Sequence, residues 1–301
     1  MSSIFQEVGF GPGFTQVLVL LIATGAVLVP LEHYFPANRQ KLLGYKGMLT
    51  DLLYWFLTPI LTRTATNFVL IGILMAACFA AGRTLDISIL NGFGPLSRQP
   101  RWLQAFEILL VVDFVDYWTH RAFHSSRLWR IHAIHHSPEQ MNWISSSRMH
   151  PLNDLITRTC QVLPVLALGF SANAVLLVLP YLFFYVVFLH SNLSWSFGPF
   201  RYLLVSPAYH RWHHTTDREG IDKNFAGIFP IWDLIFGTYH CPDRLPKRYG
   251  VLAEPVPEDL IGQLLFPLRP LWRKTTQRPK KRAKVAVAQT KGQEEREASM
   301  P

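Results

Sequence analysis

Residues 14–31 and 161–189 contain no Asp, Glu, Lys, Arg or His over 18 and 29 positions respectively. No other feature narrows the possible folds as far. About 20 apolar residues of helix cross a ~30 Å hydrocarbon core, so both runs suit a bilayer. The second is too long for one crossing and reads as two helices with a turn near Gly169-Phe-Ser-Ala-Asn173. Residues 68–82 form a further uncharged run. Segments 49–62 and 103–117 are shorter and carry Asp51, Glu107, Asp113 and Asp116, which leaves spans, re-entrant segments or helices packed against protein open. A large soluble core is the competing reading, and the first and last runs argue against it. No basic stretch of the kind that opens a secretory signal precedes residue 14, so 14–31 is expected to be a retained span.

The chain has a formal net charge of +9, yet the charge is concentrated. Residues 269–301 hold ten Lys/Arg and three Glu, a balance of +7, which leaves +2 for the rest. That tail reads as polar and disordered, lying near anionic lipid on the cytoplasmic side. No aromatic residue interleaves with Arg278-Pro-Lys-Lys-Arg-Ala-Lys284, so nucleic acid is not an expected partner. The three cysteines, Cys78, Cys160 and Cys241, form no close pair, which excludes a C-x-x-C motif and a cysteine-ligated iron-sulfur cluster.

Twelve histidines are present and unevenly spread. Eight fall in three motifs: His120-x-x-x-His124, His132-x-x-His135-His136 and His210-x-x-His213-His214. His190 precedes the third, His150 stands between the second and third, and His33 and His240 are outliers read as ordinary polar residues. Helical residues four apart share a face, so His120 and His124 can serve one site. Adjacent histidines point about 100° apart, which lets neighbours serve two different ions. The number of imidazoles also exceeds what one ion takes, and imidazole suits Zn, Cu, Fe and Ni alike. A neutral, all-histidine ligand set leaves a strongly cationic pair of ions, which points to chemistry on reduced dioxygen. Haem ligation would not need clustered triplets, and a zinc protease would show H-E-x-x-H, which is absent.

These motifs carry a resemblance. Asp113-Phe-Val-Asp-Tyr-Trp-Thr-His-Arg-Ala-Phe-His124, Leu128-Trp-Arg-Ile-His-Ala-Ile-His-His-Ser137 and Ser206-Pro-Ala-Tyr-His-Arg-Trp-His-His214 resemble the three histidine boxes of the fatty acid hydroxylase and sterol desaturase superfamily. His150-Pro151, His190-Ser-Asn192 and residues 224–238 match smaller features of the same family. The resemblance implies an all-α integral membrane protein with about four transmembrane helices beneath a cytosolic helical cap. It implies a di-iron centre that uses O2 to hydroxylate or desaturate an unactivated C–H position of a lipid, with zinc able to replace iron in isolated protein. The metal ligands it implies are His120, His124, His132, His135, His136, His210, His213 and His214, joined by His150 and His190. Sterols, acyl chains, alkylglycerols and carotenoids are substrates of such proteins.

Asp113, Asp116, Asn142, Asp217 and Asp222 are the polar residues expected to accept the second N–H of a ligating imidazole. Trp118, Trp129, Trp143, Trp195 and Trp212 are expected in an interfacial belt. The arginines at 121, 127, 130, 148 and 158 place the histidines on the cytoplasmic face. The chain has no G-x-G-x-x-G loop and no cysteine set, so a separate electron donor such as a ferredoxin, cytochrome b5 or a pterin-type reductant is expected. The organisation read from sequence is membrane helices at 1–102, a histidine-box domain at 103–240 with a transmembrane hairpin near 155–190, an extension at 241–268, and the basic tail. The alternative from another class is a membrane zinc-binding or metal-transport protein. Residues 14–31 and 161–189 lack the ionisable groups that transport would call for.

Overall fold

The computed structural model describes residues 13–269, apart from Arg83, Leu85, Ser126 and Ala253. The basic tail beyond Arg269 lies outside the described residues. The described chain is helical, with two isolated β-bridges and no strand among the described residues. Helix α1 is Phe14–Tyr34, α2 is Met48–Leu57, and α2 continues through a π-helical turn, Thr58–Thr62, into α3, Arg63–Ala80. Pro59 explains the turn, because a proline within a helix removes one backbone donor and forces the ladder to widen or bend. Segments 49–62 and 68–82, separate in the sequence reading, are thus parts of one continuous helical rod. The rest comprises α4 (Arg101–Phe123), α5 (Trp129–His132), α6 (Pro151–Ala167), α7 (Ala172–His190), α8 (Pro207–His213), α9 (Ile231–Ile235) and α10 (Leu260–Leu265).

Three described helical stretches are long and apolar enough to cross a membrane: Phe14–Tyr34, Met48–Ala80 and Ala172–His190. About four were expected from sequence. The difference lies in α4, which carries Arg101, Glu107, Asp113, Asp116 and Arg121, and in α6, which is 17 residues long with Asp154 and Arg158 in its first half. Leu18, Val19, Ile22, Val27, Phe68, Met75, Leu176 and Leu177 are exposed on the three apolar stretches, as side chains facing acyl chains would be.

The long helices share their two ends, and this decides where the histidines go. At one end, Glu32 of α1 accepts the N–H groups of Trp143 (2.9 Å) and Asn192 (2.8 Å), beyond the end of α7. At the same end Asp51 of α2 accepts from Arg148 Nε (2.5 Å) and from the Tyr45 hydroxyl (2.8 Å), both acid and arginine being buried. The C-terminus of α4, the N-terminus of α6 and the C-terminus of α7 meet here too, bringing His120, Asn153 and His190 together. At the opposite end Ser171 donates to Gln104, and Phe93 N–H donates to Gly169 O (2.9 Å) in the turn between α6 and α7. Gly169 has φ +82°, and a Cβ there would stand 2.4 Å from Phe93 O, so both its conformation and its contact require glycine.

Between the ends, Ile108 and Val112 of α4 pack with Val165 of α6 and with Phe170, Ala174 and Val178 at and within α7. Nearer the histidine end, Leu28, Trp55, Trp143, Ile144 and Val187 form another cluster. The tryptophans do not share one environment. Trp118 is exposed, whereas Trp143 is in this core and Trp212 is fully buried with its indole N–H on Arg244 O (2.9 Å), so tertiary packing claims these two rings.

Candidate metal centre

Nine histidines converge at the shared end in two adjoining groups. His120, His124, His132, His136 and His213 form one, and His135, His190, His210 and His214 the other. Within each group one ring nitrogen from every member lies within 4.8 Å of all the others. Neighbours in sequence divide between the groups, His135 from His136 and His213 from His214, as the 100° offset requires. The groups touch where the His136 and His214 rings stack at 4.4 Å.

The orientation of the rings follows from what holds Nδ1. In the first group His120 Nδ1–H donates to Phe225 O (2.8 Å), His124 Nδ1 meets Asp222 Oδ1 (3.0 Å), His132 Nδ1 meets Asn153 Oδ1 (2.9 Å) and His213 Nδ1 meets Lys223 O (2.9 Å). In the second, His135 Nδ1–H donates to Arg148 O (3.1 Å) and His190 Nδ1–H to Val186 O (2.8 Å). A proton on Nδ1 leaves Nε2 of a neutral imidazole with a lone pair and no hydrogen. These lone pairs face one another. His120 and His132 approach Nε2 to Nε2 at 3.1 Å, and so do His135 and His190. His124 Nε2 and His213 Nε2 are buried without a partner. Facing acceptors at this distance repel and cannot satisfy each other; a cation among them resolves both faults. The donor set therefore fits metal ions of the imidazole-binding kind.

Burial pushes His132, His135, His136, His210, His213 and His214 well below the usual imidazole range, and their neighbouring imidazoles push the same way. The rings are thus neutral near pH 7, the form that ligates metal.

His150 lies outside both groups. It caps α6, its Nδ1 accepting from Leu152 N–H (3.1 Å) while Nε2 donates to Leu264 O (3.2 Å), so both its nitrogens are taken by backbone. Of the five polar residues expected beside the ligands, Asp222 meets a box histidine. Asp113 instead accepts backbone N–H groups of residues 227–229, Asp116 accepts from Gln161 (3.0 Å), Asn142 caps the turn at Ile144–Ser147, and Asp217 accepts from Lys247 N–H (2.8 Å). Sequence reading missed Asn153, although it follows His150 by three residues at the start of a helix. It also missed the carbonyls of Arg148, Val186, Lys223 and Phe225, for which a side-chain pattern carries no signal.

The fatty acid hydroxylase family model matches residues 105–238, a stretch that includes all nine histidines. An ornithine lipid hydroxylase of Rhizobium tropici is 28% identical over 253 residues, covering 83% of this chain and 74% of that protein. The human alkylglycerol monooxygenase is 37% identical over 144 residues, 48% of this chain and 31% of its own length. A very-long-chain aldehyde decarbonylase of Oryza sativa subsp. indica is 31% identical over 140 residues, or 42% and 22%. The chain thus spans about three quarters of the first relative and under a third of the other two. No solved structure matches this chain significantly. In the matched stretch the second motif lies on and just beyond the short helix α5, and the third on α8, capped by Ser206 whose hydroxyl accepts from Tyr209 N–H.

Proposed function

We propose that this protein is a membrane-embedded oxidoreductase that uses O2 and two iron ions to act on an unactivated C–H position of a lipid. The observation that carries this reading is the pair of histidine groups whose ring nitrogens converge, six of the nine rings having Nδ1 engaged by a partner outside the groups so that Nε2 faces inward. His120, His124, His132, His136 and His213 would hold one ion, and His135, His190, His210 and His214 the other. Bound iron supplies the redox chemistry with O2 that no side chain of the chain possesses. The protein's own share is orientation and dryness. Backbone carbonyls, Asn153 and Asp222 fix the Nδ1 protons, and the rings of Phe123, Trp129 and Phe225 lie against the first group, leaving little room for water.

Two of the three relatives named above are called a hydroxylase and a monooxygenase, which favours oxygen insertion over desaturation, and both names specify lipids. A lipid bearing an alkyl or acyl chain is the substrate class this supports. Helices α4 and α6 share both ends with the apolar α7 and bury the carboxylates of Asp113 and Asp154, which supports placing them at bilayer depth. Arg121 and Arg127 near the site, with the basic tail, support a cytoplasmic orientation. The absence of a dinucleotide motif and of a cysteine cluster supports a separate electron donor.

Metal analysis with optical spectra on gently purified protein tests the proposal. Two non-haem irons per chain, no Soret band, and lipid oxidation that depends on an added donor are expected. Zinc alone with no O2 consumption on iron loading, or sustained turnover with NAD(P)H and no donor, would overturn it.

A further inference from the structure

We infer that residues 225–237 form a re-entrant membrane element, dipping from the metal end of the bundle into the acyl-chain layer beside α4 with their outer face against lipid. The inference rests on α7 spanning the membrane and not on which metal binds.

The segment leaves and returns at one place, because Asn224 N–H donates to Thr238 O (2.9 Å). Asn224 sits at φ +61° and is held there by its side chain, which donates to Tyr209 O and His240 O and accepts from His240 N–H. Between these closing residues the chain descends along α4. Phe236 packs on Trp118 (4.8 Å), Trp232 on Phe114 (4.9 Å) and Phe229 on Phe106 (6.4 Å). From Trp118 to Phe106 is twelve residues of helix, ~18 Å at about 1.5 Å each. At that depth Ile108 and Val112 of α4 pack against Ala174 and Val178 of α7, so the excursion runs beside the interior of a span.

Its sequence, Phe-Ala-Gly-Ile-Phe-Pro-Ile-Trp-Asp-Leu-Ile-Phe-Gly, has one ionisable residue, Asp233, which is fully buried. The exposed side chains are Ile231, Leu234, Ile235 and Phe236, an apolar surface continued by Phe106, Phe114 and Trp118 of α4. A surface of this kind on a water-facing loop is unusual, while on a membrane protein it is the ordinary outer face.

Backbone pairing gives an independent reason. Only Ile231–Ile235 is helical, so the remaining N–H groups need partners that water cannot supply inside a bilayer. For residues 225–229 two buried carboxylates supply them. Asp233 accepts from Phe225 and Ala226 N–H, both at 2.8 Å. Asp113 accepts from the N–H groups of Gly227 (3.0 Å), Ile228 (2.8 Å) and Phe229 (2.8 Å), and from the Trp232 indole (3.0 Å). Pro230 has no N–H to satisfy. Gly227 permits the approach: a Cβ there would meet Asp116 Oδ2 at 3.1 Å and Asp113 Oδ1 at 3.4 Å. The acidic residue on α4 that made it a poor span by composition is thus the acceptor that lets an irregular segment enter the membrane. Phe225, where the descent begins, packs on the His120, His124 and His213 rings, so the element joins the acyl layer to the first histidine group.

Two measurements in lipid bilayers test this. In a background with Cys78, Cys160 and Cys241 replaced, nitroxide labels at Leu234→Cys and Ile235→Cys should collide with O2 far more than with a water-soluble nickel chelate. They should match a label at Leu177→Cys on α7 and oppose one at Arg218→Cys. Nickel contact as strong as at 218, or shielding from both reagents as under a second copy of the chain, overturns the inference. For the unmodified protein, phospholipid carrying a diazirine at mid-acyl chain should leave adducts within residues 229–236 as it does on α7. Tagging of α7 without tagging of that segment overturns the inference, whatever the labelled variants do. Neither readout involves metal or turnover, so failure here is distinct from failure of the proposed activity.

Discussion

The two histidine groups use the same residue type, yet they are held in place differently. The second is fastened from within the helical frame: His190 bonds the carbonyl one turn back in its own helix, and His135 bonds Arg148, which Asp51 pins from α2. All four of its members are buried. The first has one anchor in the frame, Asn153 of α6, and is otherwise fastened from outside it, by the carbonyls of Lys223 and Phe225 and by Asp222, whose side chain is 65% exposed. His120 and His124 of that group are only partly buried. Two ions in such settings would not be equivalent: the second group is wholly buried and tied to α7 and to the Asp51–Arg148 pair, whereas the first borrows part of its support from the loop at 222–225.

The largest effect expected is loss of a ligand on either side of this comparison. His135→Ala and His213→Ala should each lower turnover by more than the ~100-fold that losing an outer partner costs, and should each remove about one metal per chain. Loss of both metals from one substitution would show that the groups fill as a unit.

Acid should expose what the groups share. An unfolded chain takes up protons near pH ~6.5 on histidines that stay neutral in the fold until far lower pH, so the metal-free protein is fully supported above that value and loses support below it. Each such ring contributes up to ~1.4 kcal/mol per pH unit in that window. Thermal unfolding of metal-free protein between pH 7.5 and 5 checks this, and a flat profile would contradict the burial of the site.

Asp51→Asn sharpens the contrast next, since it leaves the buried Arg148 guanidinium unpaired. A stability loss of ~3–5 kcal/mol is expected, with metal lost first from the second group. Urea or thermal unfolding with metal analysis of the folded fraction reads both. Asn153→Leu acts on the first group alone and should weaken one metal by ~10–100-fold, while Asp222→Ala, whose carboxylate is solvated, should fall below that range. Competition with a graded chelator measures the pair; equal effects would mean that exposure does not distinguish the two anchors.

Much of this was legible in the residues. The three motifs located eight of the nine converging histidines, and the offset of adjacent imidazoles forecast their division into two groups. His150 misleads because a histidine before a helix-opening proline serves equally as a cap, and its spacing to other histidines does not distinguish the two roles. An acid defeated the reading. Asp113 looked like a partner for a histidine. Its actual partners are N–H groups more than a hundred residues away, invisible to any local pattern.

What the sequence determined by itself is the class of chain and its chemistry, because bilayer thickness sets the length of an apolar run and helical pitch sets the face on which an imidazole stands. What the tertiary structure decided is which atoms complete the site. Tautomers are set by carbonyls of Phe225, Lys223, Arg148 and Val186, and burial is set by helices whose ends meet only in three dimensions. Every residue carries a carbonyl, so nothing in the order of side chains marks the four that matter; only the packing of α4, α6 and α7 at one end of the bundle selects them.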